Sequence, residues 1–184
     1  MNRLTTLLLA AYVPMQAATI NLDTWYQFGF TLEGVTATGC APADPSGPFC
    51  TPSSGTPTTF LDAAPWTFTA PTGGVLVTLV DAFTTVEAFE LFDGGVSQGI
   101  TSAPDPTGDC GDDPALCLLD PNSSKGTFFL AAGPHSLTVS PTLSPEELGS
   151  GFLIAQSAVP EPATWLLTGL ALAGLGVWRR KELL

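Results

Sequence analysis

Apolar and polar positions alternate in short runs between residues 25 and 155. Trp25-Tyr26-Gln27-Phe28-Gly29-Phe30-Thr31-Leu32 puts Tyr26, Phe28, Phe30 and Leu32 on one face, because successive side chains of an extended chain point to opposite sides. Residues 66–70 alternate again, and Pro71-Thr72-Gly73-Gly74 turns the chain. Residues 75–83 are β-branched and almost continuously apolar, the pattern of an inner strand. Phe89-Glu90-Leu91-Phe92 leads through the tight-turn signal Asp93-Gly94-Gly95 into Val96-Ser97-Gln98. Residues 126–130 are expected to form a hairpin with 135–139 through Ala132-Gly133-Pro134, and 150–155 supply a last strand. Residues 53–59 are polar without a helical period, and no part of 19–158 carries an amphipathic helix of three turns. About eight short strands with Gly/Pro turns predict an all-β, antiparallel β-sandwich, jelly-roll-like in form.

Two apolar runs stand outside this pattern. Met1-Asn2-Arg3 followed by the apolar stretch 4–13 has the charge and length of a secretory signal peptide, with cleavage expected after Ala17 or Ala18. Residues 163–178 contain no charge; as a helix they would extend about 24 Å. That is short of a hydrocarbon core of about 30 Å, yet sufficient with snorkelling flanks and local thinning. Trp165 and Trp178 bracket the run where ring systems favour the headgroup level, and Arg179-Arg180-Lys181 follows at once. The chain therefore divides into a signal peptide (1–18), an ectodomain (19–158) and a C-terminal segment (159–184) with a single transmembrane helix. The cations place its end on the cytoplasmic side.

The C-terminal segment joins Val159-Pro160-Glu161-Pro162-Ala163-Thr164, a small-residue apolar helix and the basic stop Arg179, Arg180 and Lys181. In that order it closely resembles the PEP-CTERM sorting signal of bacterial surface proteins. The resemblance implies recognition by an exosortase, a membrane-embedded transpeptidase-like enzyme that cuts near Pro-Glu-Pro. It further implies export, a precursor anchored in the inner, cytoplasmic membrane, and a mature protein at the cell surface or outside it, in an organism that makes exopolysaccharide. Residues 66–154 also resemble ectodomains that accompany such signals, through Asp81-Ala82-Phe83, the 89–95 run and Gly133-Pro134-His135-Ser136-Leu137-Thr138-Val139.

Charge and chemistry narrow the ectodomain's role. Of 17 acidic residues only Glu161 and Glu182 lie outside 19–158, and of five basic residues only Lys125 lies inside. So negative a surface repels phosphate backbones and argues against a nucleic-acid partner. Cys40, Cys50, Cys110 and Cys117 all fall in the exported part, where an even count reads as two disulfides. Local pairs, Cys40 with Cys50 and Cys110 with Cys117, each close a turn-rich loop and would contribute roughly 2–3 kcal/mol. Neither spacing is a zinc knuckle. Asp105, Asp109, Asp112, Asp113, Asp120 and Asn122 offer hard oxygen ligands, so calcium at Asp109, Asp112, Asp113 and Asp120 is a candidate use. A solvated turn-rich loop is the simpler one.

A catalytic constellation does not assemble. His135 is the only histidine and follows a Gly-Pro turn, as an exposed strand-start residue would. Any serine triad would have to use this one imidazole, and Glu87 and Glu90 would face opposite sides of a regular strand. The chain is expected not to be an enzyme and to need no cofactor. Two roles remain for the ectodomain: a structural component associated with exopolysaccharide or biofilm, or a glycan-binding module, with or without calcium. An exposed row of Trp or Tyr at one end of the sandwich would favour the second.

Overall fold

The structure is a computed structural model that describes residues 17–145 and 148–158. The expected signal peptide up to residue 16, the sorting residues Val159, Pro160, Glu161, Pro162, Arg179, Arg180 and Lys181, and the expected membrane helix lie outside the described residues. Among the described residues no helix is long and apolar enough to cross a membrane.

Ten strands and one short helix follow in order: β1 (Ala18–Thr19), β2 (Trp25–Phe30), β3 (Thr58–Phe60), β4 (Trp66–Ala70), β5 (Val75–Asp81), β6 (Ala88–Asp93), β7 (Val96–Ile100), α1 (Pro114–Leu119), β8 (Lys125–Leu130), β9 (Gly133–Leu143) and β10 (Gly149–Ser157). They form two five-stranded sheets, β1-β4-β9-β6-β7 and β3-β2-β10-β5-β8, stacked as a sandwich. The sheets are mixed rather than purely antiparallel. β1 runs parallel to β4 and β3 parallel to β2, each as a two- or three-residue addition to an edge. Pieces this short carry no alternation to read, and Thr58–Phe60 emerges from the stretch that looked like a polar connection.

Alternation dictates the core. Tyr26, Phe28 and Phe30 of β2 face inward with Trp66 and Phe68 of β4, Val75, Val77 and Leu79 of β5, and Phe89 and Leu91 of β6. The Phe89 ring meets Phe28 edge-on at 5.3 Å and lies 5.4 Å from Phe30, the arrangement aromatic quadrupoles favour. Gly151 makes room for this packing, since a Cβ there would stand 2.6 Å from the Phe28 ring. Leu32, assigned by alternation to the same face, lies beyond the end of β2 and is exposed.

β5 is apolar on both sides for a visible reason. Its inward residues meet the sandwich core, whereas Val80 on the outer face packs with Ala82, Phe152 and Cys117, flanked by Trp25, Phe83 and Cys110. The segment carrying α1 thus roofs one sheet. Asp113 caps that helix by accepting the Ala115 amide at 2.9 Å, with Pro114 in the first position, where its missing N–H costs nothing.

The expected hairpin between 126–130 and 135–139 does not form. β8 pairs with β5 and β9 with β4 and β6, so the Ala131-Ala132-Gly133 turn crosses from one sheet to the other. Gly133 takes φ 135° at this crossing, backbone that favours glycine. The β6–β7 hairpin does form, with Gly94 and Gly95 both at positive φ.

Candidate functional site

The sorting segment leaves from a defined place in the fold. β10 is an inner strand, bonded to β2 on one side and β5 on the other. Its last residue, Ser157, lies opposite Val75, and the next amide, that of Ala158, donates to the Gly74 carbonyl at 3.0 Å. No linker intervenes between the sheet and Val159 beyond that one residue. Around this exit lie the loops at residues 21–24, 71–74 and 131–133, because β5 starts, β4 and β8 end and β2 starts there. Asp23 is the single charged residue in these loops.

The two cysteine loops occupy connections that leave the other strand ends. Cys40 is bonded to Cys50 with Cα atoms 5.5 Å apart, and Cys110 to Cys117 at 4.8 Å. Asp44 organises the first loop: its carboxylate accepts the Gly39 amide and both the amide and hydroxyl of Ser46, at 2.9, 2.9 and 2.6 Å.

The acidic residues of the second loop do not converge. Asp105 accepts from Thr107, Asp109 from the Gly111 amide, and Asp112 from the amide and hydroxyl of Ser54. Asp113 caps α1, and Asp120 accepts the Asn122 amide. The Thr56 hydroxyl is the main cause holding Asp113 below the ordinary carboxylate value. Each of these carboxylates closes a turn or ties two loops. Among the described residues no three His, Cys, Asp or Glu side chains are gathered in a way that would hold a metal ion.

A pair of acids that the alternation pattern did not single out sits at the same end as Cys50. Asp81 closes β5 and is fully buried; its two oxygens accept the amides of Ala82 at 2.9 Å and Glu87 at 3.0 Å. Burial first, and the Glu87 charge second, push the Asp81 carboxyl up to about 9. Glu87 is 2% exposed. The signal in the sequence was an aspartate ending the apolar run Val75–Asp81, where a charge has no water to face. Glu90, by contrast, sits in β6 and accepts a hydrogen bond from Ser97. Glu87 lines a cleft of about 560 Å³ with Ser150, Thr51 and Thr84, walled by Phe49, Phe83 and Leu148. Phe49 stands 86% exposed on its rim.

His135 is not the exposed residue that its Gly-Pro neighbours suggested. Its ring is partly buried 5.1 Å from the Phe68 ring, with Nδ1 2.7 Å from Asp93 Oδ2 and Nε2 2.8 Å from the Ala131 carbonyl. Asp93 also accepts the Ser136 amide at 2.9 Å. Both ring nitrogens are thus occupied in bracing the β6–β7 hairpin against β9. Trp66 and Tyr26 are buried and Trp25 is half-buried, so among the described residues no row of Trp or Tyr is presented at either end.

Comparison with protein families finds the PEP-CTERM protein-sorting motif at residues 158–181. The match begins one residue after β10 ends. That motif supports an exported protein sorted by an exosortase, a membrane enzyme, from a membrane-anchored precursor. No curated protein and no solved structure matches the chain.

Proposed function

We propose that this chain is a non-enzymatic exosortase substrate whose acidic ectodomain serves as a structural component of the cell surface or extracellular matrix, in association with exopolysaccharide. One observation carries the reading: a sorting motif spanning 158–181 is joined directly to the central strand of a disulfide-closed sandwich. The eight longer strands order as β4-β9-β6-β7 against β2-β10-β5-β8. We read this as the two Greek keys of a jelly roll, a closed double sheet that leaves only short edges. The negative surface keeps such a domain soluble once released.

Fractionation of the native host with and without its sorting protease tests this. With the enzyme, intact mass should show a surface or extracellular form lacking residues 165–184. Without it, a longer membrane-bound form should accumulate. Full-length chain recovered from the surface of a protease-positive host overturns the reading.

A second reading, glycan binding, is favoured by the cleft at Phe49. A flat, exposed ring beside Ser150, Thr51 and Glu87 offers a sugar both a CH-stacking face and hydroxyl partners. Binding of the host's own exopolysaccharide that is lost in Phe49→Ala, with the melting temperature unchanged, would establish it. Equal binding by both proteins would remove it.

A further inference from the structure

The exit end of the sandwich differs from the rest of the surface in two ways. Its loops, Asn21-Leu22-Asp23-Thr24, Pro71-Thr72-Gly73-Gly74 and Ala131-Ala132-Gly133, hold one carboxylate, and the adjoining β6–β7 turn adds only Asp93, already bonded to His135 and the Ser136 amide, in an ectodomain that is otherwise strongly acidic. Glu33, Asp44, Asp62, Asp105, Asp109, Asp112, Asp113 and Asp120 all lie in other connections. Beside the exit, on the outer face of β5 and β8, Leu76 and Phe129 pair directly across the strands, one position in from Val75 and Leu130. Both are exposed, Phe129 by 59%, and the Phe129 ring lies over Gly74, where a Cβ would stand 2.7 Å from it.

The chain beyond the fold sets how far this end stands from the membrane. Ala158 is fixed to Gly74, and three peptide units further on, Glu161 is within roughly 10 Å whatever path the backbone takes. The apolar run starts two residues later, at Ala163. Fully extended, the five residues from Ala158 to Ala163 reach about 17 Å at most, so the exit loops can come within the Debye length of about 8 Å, where a carboxylate on them would be repelled by anionic headgroups.

We propose that the exit end, with loops 21–24, 71–74 and 131–133 and the pair Leu76–Phe129, is the face the domain lays on the lipid surface of the precursor's membrane. Phe129 is its interfacial anchor, and the scarcity of charge is what permits the approach. The inference rests on the sorting reading, because it takes the 158–181 segment as a membrane anchor. The acidic loops then point away from the bilayer, toward the medium.

The full chain in nanodiscs of phosphatidylcholine and phosphatidylglycerol, doped with a lipid carrying gadolinium on its headgroup, reads this directly. Amide signals of Thr72, Phe129 and Ala132 should broaden, while those of Val35, Thr84 and Thr107 should not. Broadening at the second set, or at neither, overturns the proposal. A second arm uses the host. Thr72→Glu with Phe129→Glu, both at exposed positions, should slow conversion of the precursor by roughly thirtyfold, at about 1 kcal/mol for each of the two charges near a charged surface. Val35→Glu with Leu119→Glu adds the same charge at exposed positions away from the exit and should leave conversion unchanged. Inserting about ten flexible Gly-Ser residues after Ala158 should restore the slowed variant by lengthening the tether. Normal conversion of the exit-end variant, or no rescue by the insertion, counts against the proposal. The nanodisc arm needs no protease, so it fails only if this inference fails. A wild-type chain left unprocessed in the host overturns the sorting reading instead.

Discussion

One carboxylate oxygen of Asp81 accepts the amide of Glu87 at 3.0 Å, bringing two buried acids together where β5 ends. Burial is the larger cause that raises the Asp81 carboxyl from its ordinary 3.8 to about 9. The sign of the stability effect follows. Between those values the unfolded chain has released a proton that the folded chain still holds, so stability declines as pH rises. The loss begins near pH 4, is complete near pH 9, and approaches about 1.4 kcal/mol per pH unit between them. Asp81→Asn should remove this component. In urea unfolding the variant's midpoint should gain on wild type steadily from about pH 5 to about pH 8. Parallel pH profiles for the two proteins would show that Asp81 titrates normally.

The Cys40–Cys50 loop should depend on its aspartate nearly as much as on its disulfide. Asp44 is buried and takes three hydrogen bonds, so Asp44→Ala should cost on the order of 2 kcal/mol by leaving donors unpaired. Removing the ten-residue-separated bridge should cost roughly 2–3 kcal/mol. Urea midpoints of the single and combined variants measure both terms, and the combination should fall short of their sum because both order the same loop.

Asp113 has a structural use that calcium chelation would not reveal. As the cap of α1, it should tolerate Asn, while Asp113→Ala should lower stability by about 1 kcal/mol. If the acidic side chains serve turns alone, millimolar calcium or a chelator should leave the melting temperature where it was. A calcium-dependent rise that Asp112→Asn with Asp113→Asn abolishes would show instead that the loop rearranges around an ion.

Glu161 lies between two prolines, which carry no amide donor. Glu161→Ala should leave a larger, membrane-bound form in a host that processes wild type. Immunoblots of membrane and culture fractions decide this, and an unchanged size distribution would reduce the tripeptide to a spacer.

The strands were legible wherever one face met the core. Tyr26, Phe28 and Phe30, or Trp66 and Phe68, announce themselves because burial on one side and water on the other impose a period of two. Which sheet a strand joins leaves no such trace. β8 and β9 look like a hairpin because three residues separate them, yet each has better partners across the sandwich, and Gly133 allows the turn either way. His135 was misjudged for a related reason: its neighbours in sequence are turn residues, whereas its partners Asp93 and Phe68 arrive from other strands. The sorting motif was readable from the sequence, because it is a local pattern that needs no tertiary partner to be recognised.

β10 fills the slot between β2 and β5, and it is the last strand to be made. A chain threaded outward from its N-terminus carries nine strands across the membrane before sheet closure is possible. Until residues 149–157 emerge, β2 and β5 have unsatisfied edges facing each other, and the Phe28 and Phe30 rings lack the Gly151 and Gly149 they pack against. Closure and arrival of the motif at 158 are therefore almost simultaneous events. In a chain made from its N-terminus, the residues that close the sheet are thus the last before the sorting motif, and the sandwich can be completed only once nearly the whole ectodomain has been made.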